Sequence, residues 1–270
     1  MIFKTYPADP ALANIVDYYW YSKIECTDSL IQNYPTPLLQ GLAFNFHKLE
    51  EEHSFNGKSI NLYKKAYFFG QPTCPRVITT NKNGVDILCV KFRPLGISKI
   101  TGINMEHMAD SFIAAEDIWG LEFEHLCDEM QSAPNMESTI KVLEKFILNK
   151  YLKIHQPYQS SIASNALKLI EKFNGDILIK DLNQQTNTTK KTLERTFKQH
   201  VGLTPKLYSQ IVQFNSAKDF LEKMVNHDPV FAAGLETGYY NSSYFAAQFK
   251  RFSGETPKQY LKNNVSGNIV

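Results

Sequence analysis

Long, charged side chains are grouped at helical spacing in the second half of this 270-residue chain. The group consists of Lys190, Lys191, Glu194, Arg195 and Lys198. On a helix, Lys191 and Arg195 project together because they lie four residues apart. Ammonium and guanidinium groups donate hydrogen bonds to phosphate oxygens and to the acceptors of guanine and adenine in the major groove of DNA. These residues are therefore candidates for contact with double-stranded DNA.

Several of these side chains also have an alternative role inside the protein. Arg195 can form a salt bridge within its own domain instead of contacting a base or a phosphate. Glu194 can accept a hydrogen bond from the amino group of cytosine, or it can pair with Lys190 or Lys198. Lys198 can contact a phosphate or remain solvated. The residue types alone do not decide between these roles.

A second, smaller group of polar side chains follows later in the chain. Its members are Asn241, Ser242, Ser243, Tyr244, Lys250 and Arg251. Asn241 is better suited to cap the start of a helix than to read a base. Ser242 and Ser243 can donate to phosphates or to base edges, and the two cations at the end can contact phosphates or remain solvated.

Both groups belong to one unit that the chain uses twice. Residues 197–208 recur at 249–260 with the same residue at seven of twelve positions. In each copy a glycine, Gly202 or Gly254, suits the left-handed position that ends a helix. A Thr-Pro pair follows two residues later and is typical of a helix start, because the hydroxyl caps free amides and proline fits the first helical position. Such repetition indicates a structural module placed side by side.

The apolar spacing of the second half predicts helices and requires no strand. The predicted helices span residues 161–173, 179–186, 189–200, 205–223, 229–236, 241–252 and 256–263. They form two helix-turn-helix units joined by the long helix from Pro205.

Residues 158–264 resemble the DNA-binding domain of the AraC/XylS family of bacterial transcription regulators, in which a long helix joins two helix-turn-helix subdomains. The resemblance is carried by Leu182, Leu193, Arg195, Phe197-Lys198, Gly202, Thr204-Pro205, Tyr208, Ala217, Leu221, Gly238-Tyr239, Ser243-Tyr244-Phe245, Phe249-Lys250, Gly254, Thr256-Pro257 and Tyr260. It implies that both recognition helices enter successive segments of the major groove on one face of DNA, about 34 Å apart.

The chain departs from the family pattern at a few positions. Asn183 and Ala233-Gly234 replace residues that pack the helices in the family, and Gln213 stands where the connecting helix usually has arginine. On the second recognition helix, Ala247 occupies a position that is usually polar or arginine. The second unit is therefore expected either to read bases weakly or only to hold the DNA backbone.

Charge is divided unevenly along the chain. Residues 1–150 carry 14 basic and 18 acidic side chains, and residues 151–270 carry 15 and 9. A basic domain attached to an acidic one is expected when only one of them contacts a polyanion. The chain has no apolar run long enough for a membrane span and no signal-peptide core near its start. We therefore expect a cytoplasmic protein.

The first hundred residues are rich in strand patterns. Residues 41–47 alternate Leu42, Phe44 and Phe46 with smaller or polar residues, and 66–69 is a short aromatic run. Asn83-Gly84 is a favourable two-residue turn, so residues 76–80 are predicted to pair with residues 85–92 in a hairpin. Residues 70–71, 90–96 and 117–120 resemble, more loosely, a sensor domain that precedes this DNA-binding module.

The N-terminal half offers three polar candidates for holding a small ligand, Asn45, His47 and Arg93. For the surrounding aromatic residues, core packing is the simpler explanation. The four cysteines, Cys26, Cys74, Cys89 and Cys127, are scattered and lack zinc-ligand spacing, which is typical of reduced and mostly buried thiols. Neither a catalytic Ser/His/Asp set nor a glycine-rich phosphate loop can be identified.

A long amphipathic helix is predicted over residues 138–154, with an apolar stripe that includes Ile140, Leu143 and Ile147. This helix can pair with a second copy of the chain or pack onto its own domain. The polar segment 155–161 interrupts the periodicity and is the predicted linker, with the boundary near Pro157.

The sequence thus predicts an α+β chain with two domains. Residues 1–156 form a β-rich sensor or dimerisation domain, a small barrel or sheet with helices, and residues 157–270 form an all-α domain of seven helices. The predicted function is a sequence-specific transcription regulator that binds double-stranded DNA and responds to an effector. A small-molecule effector and a homodimer are the further candidate partners, and no catalytic residue, cofactor, metal or membrane is expected.

Two interpretations from other classes stay open. The N-terminal half can be an enzyme fused to a DNA-binding module, such as a thiol-based repair or methyl-acceptor domain that uses Cys74 or Cys89. Alternatively, the helical half can be a protein-interaction module whose basic residues are only solvated. In that case its affinity for DNA is negligible even at low salt, where phosphate contacts are strongest.

Overall fold

The structure is a computed structural model, and it describes residues 1–25, 28–46, 51–80, 84–154, 158–223 and 229–264, without the side chains of 158–160. His47, Cys26 and the turn residue Asn83 lie outside the described residues, as does the predicted domain boundary at 156/157.

The N-terminal half contains the strands, and helices follow from residue 96 onward. The strands are β1 (Ile2–Pro7), β2 (Val16–Ile24), β3 (Leu30–Tyr34), β4 (Gln40–Asn45), β5 (Glu51–Phe55), β6 (Lys58–Leu62), β7 (Ala66–Phe69), β8 (Arg76–Thr80), β9 (Val85–Phe92) and β10 (Phe112–Ala114). The helices are α1 (Gly96–Thr101), α2 (Ala115–Trp119), α3 (Leu121–Gln131), α4 (Met136–Lys153), α5 (Tyr158–Lys172), α6 (Ile179–Gln185), α7 (Lys190–Val201), α8 (Pro205–Lys223), α9 (Pro229–Glu236), α10 (Ser242–Ser253) and α11 (Pro257–Asn264). Short 3₁₀ turns lie at Pro10–Leu12 and Met105–His107.

The strands form two antiparallel sheets. The larger sheet has the order β1-β2-β9-β4-β7-β10, and the smaller has the order β3-β8-β5-β6. The main core of this half joins the larger sheet to the helices that follow it, because Phe68 and Phe44 pack with Trp119, Phe123 and Leu143. The α+β class and the β-rich N-terminal half are therefore confirmed.

The predicted hairpin between residues 76–80 and 85–92 is wrong. β8 pairs with β3 and β5 in the smaller sheet, whereas β9 pairs with β2 and β4 in the larger one. Both faces of β9 are largely buried, and a strand of that kind requires a partner along each edge and cover on both sides. The nine-residue β2 and the six-residue β4 provide those edges.

β4 follows its predicted alternation over part of its length. Leu42 and Phe44 are buried, but Phe46, which follows the last residue of the strand, is 41% exposed. Its amide still donates a hydrogen bond to the carbonyl of Asp86 in β9 at 2.9 Å. α4 confirms the predicted long helix, with Leu143 and Ile147 fully buried in its own domain.

All seven predicted helices of the C-terminal half are present, with ends that differ by at most three residues from those predicted. Gly202 and Gly254 have φ values of 86° and 89° and end α7 and α10 in the left-handed conformation. The hydroxyl of Thr204 accepts a hydrogen bond from the amide of Leu207 at 3.2 Å, as a helix cap does. The core of this half includes Leu193, Phe214 and Phe249.

The two halves of the chain are in contact. Leu38, Leu95 and Ala109 from the N-terminal half pack against the core of the helical half. The amide of Thr36 donates to the carbonyl of Phe252 at 2.7 Å, and the carbonyl of Thr36 accepts from Asn215 Nδ2 at 3.1 Å. The two halves are thus joined by apolar packing and by backbone hydrogen bonds. None of the described helices combines the length and the apolar character that a membrane span requires.

Candidate nucleic-acid interface

The first helix-turn-helix unit consists of α6 and α7, and α7 is the candidate recognition helix. Its start is fixed by Thr189, whose hydroxyl accepts a hydrogen bond from the amide of Thr192 at 3.2 Å. Leu193, Phe197 and Val201 are buried and fasten one face of α7 to the core. A helix held in this way presents its opposite face in a fixed orientation.

The opposite face of α7 carries the predicted DNA-binding group. Lys190, Lys191, Arg195 and Lys198 are exposed, and Glu194 is partly exposed. Lys190 Nζ lies 4.0 Å from a carboxylate oxygen of Glu194, as in the first of the two pairings expected for Glu194 within the domain. An exposed pair of this kind contributes only a few tenths of a kcal/mol, so it can open when a phosphate or a base competes.

No ion pair links Arg195 or Lys191 to another side chain in the part of the chain that the structure describes. Their donors therefore face solvent.

Burial lowers the pKa of His200, which lies near the end of α7. This histidine is therefore largely neutral near pH 7 and adds little positive charge to α7.

The second unit consists of α9 and α10, and its outer face is smaller and less basic. Asn241 Oδ1 accepts a hydrogen bond from the amide of Tyr244 at 2.9 Å, which confirms Asn241 as a helix cap. Phe245, Phe249 and Phe252 are buried. The exposed outer residues are Ser242, Ser243, Tyr244, Ala247, Lys250 and Arg251.

Two of these outer side chains have partners within the domain. The hydroxyl of Tyr244 accepts a hydrogen bond from Gln210 Nε2 at 3.3 Å, and the guanidinium of Arg251 lies 4.9 Å from the centre of the Phe252 ring. Neither contact is strong, because one spans exposed polar groups and the other is a surface cation–π contact worth about 0.5–1 kcal/mol.

The packing of the two units explains two of the departures from the family pattern. Gln213 is buried, and its Nε2 donates to the carbonyl of Thr237 at 2.8 Å, so it connects α8 to the end of α9. A Cβ on Gly234 would lie 3.3 Å from the Phe245 ring, and glycine leaves room there for that ring. Both residues thus act inside the domain.

Two of the N-terminal ligand candidates, Asn45 and Arg93, lie apart and have their own partners. Asn45 Nδ2 donates to the carbonyl of Lys64 at 3.1 Å, and Arg93 Nε donates to the carbonyl of Ala13 at 2.6 Å. In the register of β4 with β9, Gln40 lies opposite Phe92 and Asn45 opposite Ile87. Asn45 and Arg93 therefore lie at opposite ends of a paired segment, roughly 15–20 Å apart at the usual rise of a strand.

Arg93 instead borders a cavity between the two halves, which sequence analysis did not identify. Its walls include residues of β4, β9, α5 and α8. These segments are far apart in the sequence, so no short sequence motif indicates the cavity.

Elsewhere, burial raises the pKa of the free thiols of Cys74 and Cys89. A raised pKa keeps a thiol protonated, which disfavours the use of either cysteine as a nucleophile. The described residues contain no cluster of three or more metal-ligating side chains.

Comparison with known proteins gives two matches to families. Residues 182–263 match a family described as a helix-turn-helix domain, and this range runs from α6 into α11. Residues 4–114 match a domain of unknown function (DUF6597), which covers the strands of the N-terminal half.

A curated relative, an uncharacterized HTH-type transcriptional regulator of Haemophilus influenzae, is 27% identical over 97 residues. That match covers 36% of this chain and 32% of the relative, so the chain spans about a third of the length of the curated relative that it matches.

The solved structures to which this chain is similar include ToxT from Vibrio cholerae O395, with a TM-score of 0.47 at 10% identity over 96% of this chain and 97% of that one. Another is a probable AraC family transcriptional regulator from Rhodopseudomonas palustris, with a TM-score of 0.35 at 23% identity over 38% of this chain and 96% of that one. The match over α6–α11, together with the two helix-turn-helix units joined by α8, shows that the helical half of this chain carries a helix-turn-helix domain.

Proposed function

We propose that the protein is a sequence-specific DNA-binding transcription regulator and not an enzyme. The observation that carries this proposal is the outer face of α7, where Lys191 and Arg195 are exposed and unpaired on a helix whose other face is fixed in the core. Such a helix can enter a major groove without rearranging the domain. The proposal also places the protein in the cytoplasm, with its DNA.

In this proposal the two units have different tasks. Lys191 and Arg195 read bases in the first half-site, and Lys190 and Lys198 contact phosphates beside it. The second unit contributes phosphate contacts from Lys250 and Arg251. Ser242 and Ser243 offer short donors to the second half-site. The first half-site therefore carries most of the sequence specificity.

The N-terminal half regulates this binding. An effector, or a second copy of the chain, bound to residues 1–156 biases the orientation of the helical half through the contacts that join them. Those contacts include Thr36 with Phe252 and Asn215. The proposal makes no assumption about activation or repression.

The decisive experiment compares two double variants on two DNAs. A genomic binding selection first supplies the operator. Lys191→Ala/Arg195→Ala is then compared with Lys258→Ala/Lys262→Ala, which removes the same charge at the same spacing from the exposed face of α11. Loss of two base contacts worth about 1–3 kcal/mol each should weaken operator binding by about thirtyfold or more beyond the loss on random DNA, since 1.4 kcal/mol corresponds to about a factor of ten. The control pair should weaken both DNAs equally.

Two results would contradict parts of this proposal. An equal loss on operator and random DNA for the Lys191/Arg195 variant would exclude base reading by α7. The absence of any DNA affinity at low salt would instead favour a protein-interaction module, since phosphate contacts are strongest there.

A further inference from the structure

The two candidate recognition helices, α7 and α10, both end against the N-terminal half of the chain. At the end of α7, a Cβ on Gly202 would lie 2.7 Å from the carbonyl oxygen of Met105, so the two backbones are in close contact. At the end of α10, the carbonyl of Phe252 accepts a hydrogen bond from the amide of Thr36 at 2.7 Å. Carbonyls in the last turn of a helix lack a partner within the helix, and this bond supplies one. The N-terminal half therefore contacts both units at corresponding ends of their outer helices.

A buried glutamine, Gln71, links the segments that make these two contacts. Its side chain is 5% exposed. Its Oε1 accepts a hydrogen bond from the amide of Leu39 at 3.1 Å, and its Nε2 donates to the carbonyl of Pro37. The backbone carbonyl of Gln71 accepts from the amide of Asp110 at 3.3 Å. Gln71 thus joins the segment that contacts α10 to the segment that contacts α7.

Asp110 adds further contacts to the same connection. It has a positive φ of 55°, and its carboxylate accepts hydrogen bonds from the amide of Thr73 at 2.9 Å and from the hydroxyl of that residue. The guanidinium of Arg76, which is 6% exposed, lies 3.1 Å from the same carboxylate. Because Thr73 and Arg76 follow Gln71 closely in the sequence, Asp110 holds the segment that contacts α7 against residues 71–76.

The packing at Gly70 fits the same arrangement. The amide of Gly70 donates to the carbonyl of Ser111 at 3.1 Å, and a Cβ on Gly70 would overlap the carbonyl of Met108. Glycine therefore allows the close approach of the two segments. In the sequence, residues 70–71 stood out only through a loose resemblance, and the fold gives both of them a local role.

We propose that Gln71 and Asp110 are positioning residues for DNA binding, which set the orientation of α7 relative to α10 without contacting DNA themselves. Within the helical half, α8 packs against both helices. The segments joined by Gln71 and Asp110 add a second connection between them. Fewer relative orientations are then accessible, so less entropy is lost when both helices enter the groove. This inference rests on the proposed function and specifies how the N-terminal half acts on it.

The inference has a consequence that a purely structural role does not share. Two joined binding elements bind a double site tightly because engagement of one places the other at a high effective concentration near its own half-site. Half-sites on one face of DNA lie about 34 Å apart, and an inserted base pair shifts and rotates the second. A loosened connection should therefore lower the affinity for the correct spacing and reduce the penalty for a wrong one.

The test measures the affinity of the full chain for three duplexes. These are the operator from the genomic selection, a single half-site, and the operator with one base pair inserted between its half-sites. Gln71→Leu removes both hydrogen bonds of the side chain. Asp110→Asn removes the charge that pairs with Arg76, in a backbone conformation that asparagine tolerates. Each variant should bind the operator about tenfold more weakly than the wild type, the half-site equally well, and the altered spacing with a smaller penalty.

Two control variants separate positioning from charge and from stability. Asp17→Asn also neutralises a carboxylate, but its partner Lys91, at 3.1 Å, belongs to the same half. Leu88→Ala weakens the N-terminal core, in which Leu88 is fully buried. Both controls should keep the wild-type ratio of operator affinity to half-site affinity.

The inference is overturned if Gln71→Leu and Asp110→Asn keep that ratio and the wild-type penalty for altered spacing, or if the controls change both quantities to the same extent. Asp110→Asn decides alone if Gln71→Leu does not fold. The failure of the proposed function looks different, because the wild type itself would then bind none of the three duplexes.

Discussion

Gly202 and Gly254 occupy equivalent positions in the two repeats, but their surroundings differ. Both adopt a left-handed conformation at a helix end, with φ values of 86° and 89°. A Cβ on Gly202 would lie only 2.7 Å from the carbonyl oxygen of Met105, whereas a Cβ on Gly254 would lie 3.7 Å from the ring of Pro75. The first glycine therefore serves two purposes, a turn and a close contact with the N-terminal half, and the second serves the turn alone.

This difference predicts unequal effects of the same substitution. Gly254→Ala should lower the free energy of unfolding by about 1–2 kcal/mol, the usual penalty of a left-handed conformation for an L-residue. Gly202→Ala should cost more, because the Met105 backbone must also move. Denaturant titration of both variants measures the difference. Equal losses would show that the contact between Gly202 and Met105 adjusts without cost.

At the level of residues, sequence reasoning succeeded where the neighbours along the chain decide the role. Asn241 precedes an apolar periodic segment, and it caps α10 as predicted. Gln213 gave no such local indication, because its partner Thr237 lies 24 residues away, in the turn after α9. DNA contact by the outer residues of α7 stays a prediction.

The helices of the C-terminal half were predictable because each has its own start and stop. Caps, prolines and glycines act within a few residues, and apolar periodicity gives the buried face. Strand pairing has no comparable local determinant. β8 and β9 are adjacent in sequence yet belong to different sheets. Their pairing depends on how each strand buries its side chains against the rest of the domain, and not on the turn between them. A favourable turn at Asn83-Gly84 was insufficient to specify pairing.

The cap at the start of α10 offers a way to separate a structural role of Asn241 from a role in reading bases. Asn241→Ala should lower stability by about 1 kcal/mol, since the amide of Tyr244 loses its acceptor. Asn241→Ser restores a capping oxygen, so it should restore both stability and operator affinity. Thermal unfolding and an operator titration on the three proteins measure these effects. If Asn241→Ser regains stability but not affinity, the asparagine also reads DNA.

On the scale of the whole molecule, the two halves that the sequence predicts as separate domains share packing contacts. Leu95 lies in the N-terminal half but is buried in the core of the helical half, 5% exposed, beside Leu167 and Ile170. The hydrogen bonds of Thr36 connect the same two regions. A protein built in this way can transmit an event in one half to the other through packing only as long as these contacts persist.

Leu95→Ala tests that coupling directly. Both tryptophans, Trp20 and Trp119, lie in the N-terminal half, so their fluorescence reports that half, while far-ultraviolet circular dichroism is weighted towards the helical half. The wild type should unfold with coincident transitions by both probes, because the halves share a core contact. Removal of the Leu95 side chain should cost about 2–5 kcal/mol. The helical half should then unfold ahead of the tryptophan transition, although the substituted residue belongs to the other half.

A matched substitution separates this coupling from a general loss of stability. Leu88 is fully buried in the N-terminal core, and Leu88→Ala should shift the tryptophan transition first. If Leu95→Ala instead behaves as Leu88→Ala does, Leu95 stabilises only its own half. The contacts of Thr36 would then be too weak to couple the domains, and an event in the N-terminal half could reach α7 and α10 only through the chain between residues 154 and 158. The relative order of the two transitions in the two variants therefore decides whether regulation passes through the packed interface or through the linker.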